Sequence, residues 1–156
     1  MTILMPGSST KVLLSCVFMS YILVFQPGCG KLPAEHKIIK SEKGEIRIDL
    51  SEIRDGRAHF FTYKKSGKRI NFLVRRDGKD NLSAYFDACF TCYKYKKGYR
   101  VEGTDLVCNE CNLRFRLADE RWDNSKGCSP ILIKSKIDKD SLIIKTDDIE
   151  KGGKIF

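Results

Sequence analysis

Residues 87–111 read DACFTCYKYKKGYRVEGTDLVCNEC, and residues 127–130 read GCSP. Two Cys-x-x-Cys pairs, Cys89 with Cys92 and Cys108 with Cys111, are separated by fifteen residues, and Cys128 follows sixteen residues later. A two-residue spacer lets one tight turn bring both sulfurs to about 2.3 Å from an ion, and a hairpin between the pairs returns the second turn to the first. The spacing therefore predicts a metal or cluster site with these four paired cysteines as ligands.

A set of structural disulfides is the alternative to a metal site, because disulfides persist in oxidising compartments. The odd number of cysteines in this stretch and their short, symmetric spacing argue against it. A loop closed by Cys-x-x-Cys also constrains little of the unfolded chain and so adds little stability. Thiolate ligands select zinc, iron–sulfur or copper(I), so the spacing alone leaves the metal open.

Two further residues are candidate ligands. Cys128 would complete a second site, serve as an exchangeable ligand, or receive an electron. His59, in a predicted strand, is the best candidate outside the cysteines, although a lone histidine on a strand is more often structural.

The N-terminus has the layout of a secretory signal. Residues 12–25 read VLLSCVFMSYILVF without a charge, and Lys11 precedes them. Because about 20 apolar residues are needed to span a bilayer, cleavage is favoured over a permanent anchor. Cys29 directly follows Gly28, as in the lipobox of bacterial lipoproteins. We therefore expect a lipoprotein signal peptide over 1–28 and acylation of Cys29, with conventional secretion and an uncleaved anchor as alternatives.

The rest of the chain divides into a tether and one domain. Residues 29–43 are polar with one proline after the first few positions, so we expect a tether in which His36 is solvated. Residues 44–156 are predicted to be a mostly β (small α+β) domain: antiparallel strands, an inserted double Cys-x-x-Cys metal-binding hairpin, and a short C-terminal helical turn. Its strands are predicted from the alternation of polar and apolar residues and from the Gly-containing turns between them. The predicted strands are 45–50, 58–63, 70–75, 82–87, 131–137 and 141–146.

The closing helical turn is predicted from the capping-box spacing of Asp147 and Glu150. No βαβ alternation is visible, which argues against Rossmann and thioredoxin folds.

Charge and the remaining motifs narrow the function further. The chain has 156 residues, 29 Lys and Arg against 20 Asp and Glu, and a formal charge of +9. A basic zinc-ribbon-like segment often binds nucleic acid, but an export signal places the domain away from it, so the basic residues are expected to form a solvated rim or a docking face. No hydrolytic motif is present, and an electron carrier or metal-binding protein is favoured over an enzyme. The basic residues of this segment are Lys94, Lys96, Lys97, Arg100, Arg114 and Arg116.

About 100 residues, from Asp55 to the C-terminus, resemble the FtrD-like membrane iron-sulfur protein family. The resemblance is carried by DGRAHFFTY at 55–63, D-A-C-x-x-C at 87–92, K-K-G-Y at 96–99, V-C-x-x-C at 107–111, G-C-x-P at 127–130 and E-K-G at 150–152. It implies that Cys89, Cys92, Cys108, Cys111 and Cys128 act together, and it strengthens His59 as a ligand. Asn112 and Lys126 stand where the family commonly has glycine. Because asparagine tolerates the left-handed conformation, the turn at Asn112 is expected to survive.

The resemblance implies a protein attached to the membrane, with an Fe-S cluster or iron as cofactor and zinc as the alternative. We expect an exported protein anchored by lipid at the cell envelope, on the periplasmic or outer face, acting in electron transfer or iron handling. Its partner would be a membrane redox or iron-transport protein, with the membrane surface reached through the lipid anchor and no nucleic acid bound. A structural zinc-ribbon interaction domain and a thiol-disulfide oxidoreductase are the competing functions.

Overall fold

A computed structural model of the chain describes residues 2, 35–122 and 127–156. Apart from residue 2, the predicted signal peptide lies outside these ranges, and so does the predicted lipidation site Cys29. Within the described ranges, no helix has the length and apolar character needed to cross a membrane. The strands are β1 (Lys37–Ile39), β2 (Glu45–Asp49), β3 (Ala58–Lys65), β4 (Lys68–Arg76), β5 (Leu82–Cys89), β6 (Tyr99–Glu102), β7 (Asp105–Cys108), β8 (Arg114–Arg116), β9 (Pro130–Ile133), β10 (Ser135–Asp138) and β11 (Ser141–Lys145).

Short helical turns complete the described part of the chain. Leu50–Ile53 and Tyr93–Tyr95 are single 3-10 turns. Helix α1 (Thr146–Glu150) continues into a 3-10 turn at Lys151–Lys154.

The strands form three sheets, and the five-stranded one lies in the centre. The central sheet has the order β1-β3-β4-β5-β9, antiparallel except for the parallel pair β1 and β3. The second sheet has the order β10-β11-β2, and the third is the meander β6-β7-β8. The predicted fold class, a mostly antiparallel β domain with an inserted cysteine hairpin and a short C-terminal helix, is confirmed.

The central sheet buries side chains on both faces because alternate residues of a strand point to opposite sides. Register aligns Phe61, Phe72 and Phe86 across β3, β4 and β5, and these rings belong to a first core shared with the second sheet. The neighbouring row packs into a second core shared with the meander. The second core consists of Phe60, Leu73, Tyr85, Cys89, Tyr99, Leu106, Cys108, Phe115, Leu117 and Trp122.

Most predicted strands are present, but the predicted strand 131–137 is two strands in different sheets. Pro130–Ile133 pairs with β5 in the central sheet, whereas Ser135–Asp138 pairs with β11 in the second sheet. The chain passes from the central sheet to the second sheet at Lys134, between these two strands. Helix α1 lies where the closing turn is predicted, but its N-cap is Lys145 and no side chain caps it, so the capping box is not formed.

Part of the predicted tether belongs to the fold. Residues 37–39 form β1, which pairs with residues 61–63 of β3 at the edge of the central sheet. The expectation that His36 is solvated is wrong: its Nε2 lies 2.9 Å from Asp87 Oδ2, and its ring packs edge-on against Phe60 at 5.3 Å. A three-residue edge strand between lysines carries too little alternation to stand out from a polar linker.

Candidate metal centre

The two Cys-x-x-Cys pairs meet at one place. The sulfurs of Cys89, Cys92, Cys108 and Cys111 all lie within 4.8 Å of one another. Cys89 and Cys108 are 2% and 1% exposed, Cys92 is half-buried, and Cys111 is exposed. None of the five cysteines within the described ranges forms a disulfide. The four sulfurs therefore form one cluster at the rim of the second core.

The first pair is positioned by the end of β5. Cys89 is the last residue of the strand, and the Cys92 N–H donates to the Cys89 carbonyl at 3.1 Å to close a tight turn. Thr91, inside the turn, has its Oγ1 at 3.8 Å from Cys89 Sγ and 3.7 Å from Cys92 Sγ. The turn thus directs both sulfurs and one hydroxyl to the same side.

The second pair is returned by the β6–β7 hairpin, as predicted. Cys108 ends β7, and the Asn112 N–H donates to the Cys108 carbonyl at 3.0 Å. Asn112 has a φ of 58°, so the prediction that asparagine adopts the left-handed conformation here is confirmed. Its side-chain oxygen accepts a hydrogen bond from Arg100 at 3.0 Å.

Asp87 joins the end of β5 to the start of β6. Its carboxylate accepts a hydrogen bond from the Tyr99 N–H at 2.7 Å and contacts His36 at 2.9 Å. Gly98 has a φ of 61°, and a Cβ there would lie 2.6 Å from Asp87 Oδ2. Only glycine therefore lets the segment after the first pair approach the carboxylate closely enough for this bond.

The surroundings give the thiols different proton affinities. Burial raises the pKa of Cys89, but hydrogen bonds from the N–H groups of Thr91 and Cys92 and from the Thr91 side chain outweigh it and bring the pKa to about 7. Burial raises the pKa of Cys108 to about 11, although hydrogen bonds from the N–H groups of Cys111 and Glu110 lower it in part. Burial also raises the pKa of Cys92. N–H groups aimed at sulfur stabilise thiolates, the form that binds metal.

Cys128 lies beside the cluster. Pairing of Pro130 with Cys89 and a 2.9 Å bond from the Phe90 N–H to the Ser129 carbonyl bring its loop to the first turn. Thr91 Oγ1 lies 2.6 Å from Cys128 Sγ. The Thr91 hydroxyl favours the Cys128 thiolate, but burial, the charge on Cys89 and the neighbouring thiols raise its pKa. The structure therefore places a fifth sulfur next to four mutually close ones.

His59 is placed elsewhere. Its Nε2 lies 2.6 Å from Asp55 Oδ1, and the residue lines an open cavity of about 660 Å³ together with His36. It does not join the group of four sulfurs. Burial raises the pKa of Asp55, but hydrogen bonds from His59 and Arg57 lower it to about 2. The geometry supports a structural pairing of His59 with Asp55 and gives no support to His59 as a ligand of this site.

Two participants were not predicted from the sequence. Asp87 and Thr91 lie within the D-A-C-x-x-C run at 87–92, but the spacing assigns a role only to its cysteines. The contacts of Asp87 with Tyr99 and of Thr91 with Cys128 join residues far apart in the chain. The run of lysine, glycine and tyrosine at 97–99 is a usable signal, since a left-handed glycine before a buried aromatic indicates a close approach.

The donor set fits a thiolate-bound metal. Four ligands at about 2.3 Å from one ion lie at the corners of a tetrahedron with edges of about 3.8 Å. Sulfurs within 4.8 Å of one another match that size after a small contraction. A cluster with bridging sulfides holds its outermost thiolates further apart, because its irons are themselves separated.

The fold and the site define a small cysteine-rich β protein with a four-sulfur metal-binding geometry. The chain belongs to the FtrD-like family, described as membrane iron-sulfur containing proteins, which matches residues 53–156. The predicted family is confirmed. A search of curated proteins finds no match to this chain.

Two solved structures are similar to the chain. One is a chain of the complex of reduced oxygenase and oxidized ferredoxin in carbazole 1,9a-dioxygenase, at 14% identity and a TM-score of 0.44, over 67% of this chain and 95% of that chain. The other is the quaternary ammonium Rieske monooxygenase CntA in complex with an inhibitor, at 17% identity and a TM-score of 0.44, over 66% of this chain and 32% of that chain.

Proposed function

We propose that this chain is an electron-transfer protein that holds iron through Cys89, Cys92, Cys108 and Cys111. The observation that carries the proposal is the mutual distance of the four sulfurs, at most 4.8 Å. Membership of a family described as iron-sulfur containing favours iron over zinc. The spacing favours a single ion over a cluster with bridging sulfide.

Iron bound by four thiolates exchanges one electron between its ferric and ferrous states. The chain supplies the conditions for that exchange. Cys89 and Cys108 exclude water from the inner side of the site, since both are buried in the second core. N–H groups of Thr91 and Cys92 point at Cys89, and those of Glu110 and Cys111 at Cys108, so the backbone stabilises negative sulfur. Cys111 is exposed and gives an outer edge through which an electron can pass.

We propose that a docking surface lies beside the first cysteine pair. Phe90, Tyr93 and Tyr95 follow the first pair in the sequence and are 62%, 42% and 52% exposed. Lys94 lies over the ring of Tyr95 at 5.1 Å, and Lys96 and Lys97 continue the run. Exposed aromatics with a polar rim are typical of protein interfaces. We propose that a membrane redox or iron-transport protein with an acidic face binds here, and no nucleic acid.

Location follows from the N-terminus. We propose export by the signal at 1–28, acylation of Cys29 and retention at the periplasmic or outer face of a membrane. The uncharged run at 12–25 and the Gly28-Cys29 pair support this. Labelling with a clickable palmitate analogue in a bacterial host tests it: wild-type protein takes the label, and Cys29→Ala loses it. Equal labelling of both, or of neither, contradicts lipidation of Cys29.

A thiol-disulfide oxidoreductase is the second candidate, because the pKa of Cys89 is lowered and that of Cys92 is raised, the asymmetry of a reactive Cys-x-x-Cys pair. Burial of Cys89 argues against it. A thiolate that attacks a substrate disulfide must be reachable, and here Cys92 is the more exposed member of the pair.

Metal and sulfide analysis tests the proposed function. The full chain, isolated anaerobically from the membrane fraction, is expected to contain one iron per chain, no acid-labile sulfide, and a visible absorption that a one-electron reductant bleaches reversibly. One zinc per chain with no redox response would contradict electron transfer and support a structural zinc site. Sulfide equal to iron would overturn the single ion and assign a cluster to the same cysteines.

A further inference from the structure

The hydroxyl of Tyr99 is buried and has no partner among the described residues. Tyr99 is 1% exposed, and its oxygen has no hydrogen-bond partner within 35–122 and 127–156. Burying a hydroxyl without a hydrogen bond is costly, and native proteins rarely retain such a group without a reason. The atoms next to the Tyr99 hydroxyl therefore indicate which hydrogen-bond acceptor it serves.

Strand register places the side chain of Tyr99 at the sulfurs. Tyr99 directly opposes Cys108 in the β6–β7 hairpin. Directly opposed residues of an antiparallel pair project to the same face. Burial and negative charge on Cys89 and Cys108 raise the pKa of the Tyr99 phenol, as expected for an oxygen beside both sulfurs.

Neighbouring groups fix the orientation of Tyr99. Its N–H donates to Asp87 Oδ1 at 2.7 Å, which anchors the backbone at the start of β6. Its ring packs edge-on against Phe115, with centroids 6.1 Å apart. Because both ends of the residue are held, the hydroxyl cannot turn to solvent without disrupting the second core.

We propose that the Tyr99 hydroxyl donates a hydrogen bond to a buried sulfur of the metal-loaded site, that of Cys89 or Cys108, and thereby raises the reduction potential of the site. The inference rests on the four-cysteine site proposed above. Reduction adds one electron and one negative charge to the ion and its thiolates. A hydrogen-bond donor stabilises the more negative form more strongly, so it favours reduction. Tyr99 is thus a tuning residue that acts through a buried thiolate and is not itself a ligand.

Tyr99→Phe removes only the hydroxyl and tests this role. A net hydrogen bond to a charged group predicts roughly a tenfold smaller equilibrium constant for one-electron reduction of the iron-loaded full chain, about 59 mV more negative. Tyr85→Phe is the matched control, because Tyr85 is buried in the same core and its ring packs at a tilt against Trp122, with centroids 4.6 Å apart. The control is expected to keep the wild-type potential. An unchanged potential in Tyr99→Phe, or equal shifts in both variants, would overturn the inference.

Cobalt(II) substitution separates this inference from the proposed function. The sulfur-to-cobalt charge-transfer band reports the energy of the thiolate lone pairs, whichever metal the protein carries in the cell. Loss of a hydrogen bond to sulfur raises that energy, so the band of Tyr99→Phe is expected at longer wavelength than those of wild type and Tyr85→Phe. If the protein binds only zinc in the cell but the cobalt band is shifted, the hydrogen bond is supported and only the proposed electron transfer is contradicted. An unshifted band would contradict the hydrogen bond itself.

Discussion

At the scale of single residues, the five cysteines near the site differ in what surrounds their sulfurs. Cys89 receives hydrogen bonds from backbone N–H groups and packs in the second core. Cys128 lies at the outer side of Thr91, on a loop held to the first turn through Ser129. The surroundings of Cys89 suit a metal ligand. Those of Cys128 suit a sulfur that lies next to the metal site without binding the metal.

We expect Cys89→Ser to remove most bound metal and Cys128→Ser to retain it. Serine keeps the size of cysteine but replaces a soft thiolate by a poor ligand for these metals. The same loss is expected for Cys92→Ser, Cys108→Ser and Cys111→Ser. Metal-to-protein ratios measured after purification check this. Equal loss in the Cys128 variant would assign Cys128 to the primary site.

The left-handed residue after the second pair gives a stability prediction. Asn112→Ala is expected to lower the free energy of unfolding of the zinc-loaded protein by about 1–2 kcal/mol, because a Cβ without a compensating side chain is strained at positive φ. Asn112→Gly relieves the strain but loses the bond to Arg100, so its free energy of unfolding is expected within about 0.5 kcal/mol of wild type. Denaturant titration measures both, and equal destabilisation by the two changes would contradict the explanation.

At the scale of elements, two glycines flank β6 with nearly the same backbone conformation. Gly98 has a φ of 61° and Gly103 a φ of 60°. A Cβ at Gly98 would meet the Asp87 carboxylate at 2.6 Å, whereas nothing lies within 4 Å of one at Gly103. The pair therefore separates backbone strain from the close approach of the cysteine hairpin to Asp87.

Gly98→Ala is expected to destabilise the metal-loaded protein by about 2–3 kcal/mol more than Gly103→Ala. Both variants share the strain of an alanine at positive φ, about 1 kcal/mol. Only the first must displace Asp87 and with it the bond to the Tyr99 N–H. Thermal unfolding of the two variants side by side measures the difference, and matching midpoints would show that the Asp87 contact contributes nothing.

The elements predicted correctly are those whose signal is local. The hairpin of β3 and β4 was recognisable from two apolar runs around Ser66-Gly67, and the cysteine hairpin from its paired spacing. Two features depend on distant contacts and were missed. One is the change of sheet at Lys134, and the other is β1, which becomes a strand only because the edge of β3 is free to pair with it.

The site itself was predictable only in part. Motif spacing identified the four sulfurs that the structure brings together. It did not show whether His59 is a metal ligand or a structural residue, and in the structure His59 pairs with Asp55. The contributions of Asp87 and the Tyr99 hydroxyl require knowing which residues oppose each other across strands. Sequence thus indicates donor atoms, whereas the groups that tune them follow from register.

At the scale of the whole molecule, the central sheet separates two cores that differ in their cysteine content. The first core, formed with the second sheet, contains none of the described cysteines. The second core includes Cys89 and Cys108, and Cys92 and Cys128 pack against it. We therefore expect bound metal to stabilise the face that the meander covers, whereas apolar packing stabilises the opposite face.

Removal of metal is expected to loosen one face selectively. After chelation under reducing conditions, amides in 89–117 should exchange at least tenfold faster, because four uncoordinated thiols no longer fix the two turns. Amides of β2, β3 and β11 should keep most of their protection. Hydrogen exchange read by mass spectrometry resolves the two regions. A uniform gain in exchange across both cores would mean that the domain unfolds as one unit.

X-ray absorption at the iron edge of the full chain, isolated anaerobically, identifies the atoms that surround the bound iron. We predict a single shell of four sulfurs at about 2.3 Å with no iron–iron distance, and loss of the bound iron in Cys108→Ser. Absence of iron, or a first shell of nitrogen and oxygen ligands, would contradict an iron site built by Cys89, Cys92, Cys108 and Cys111.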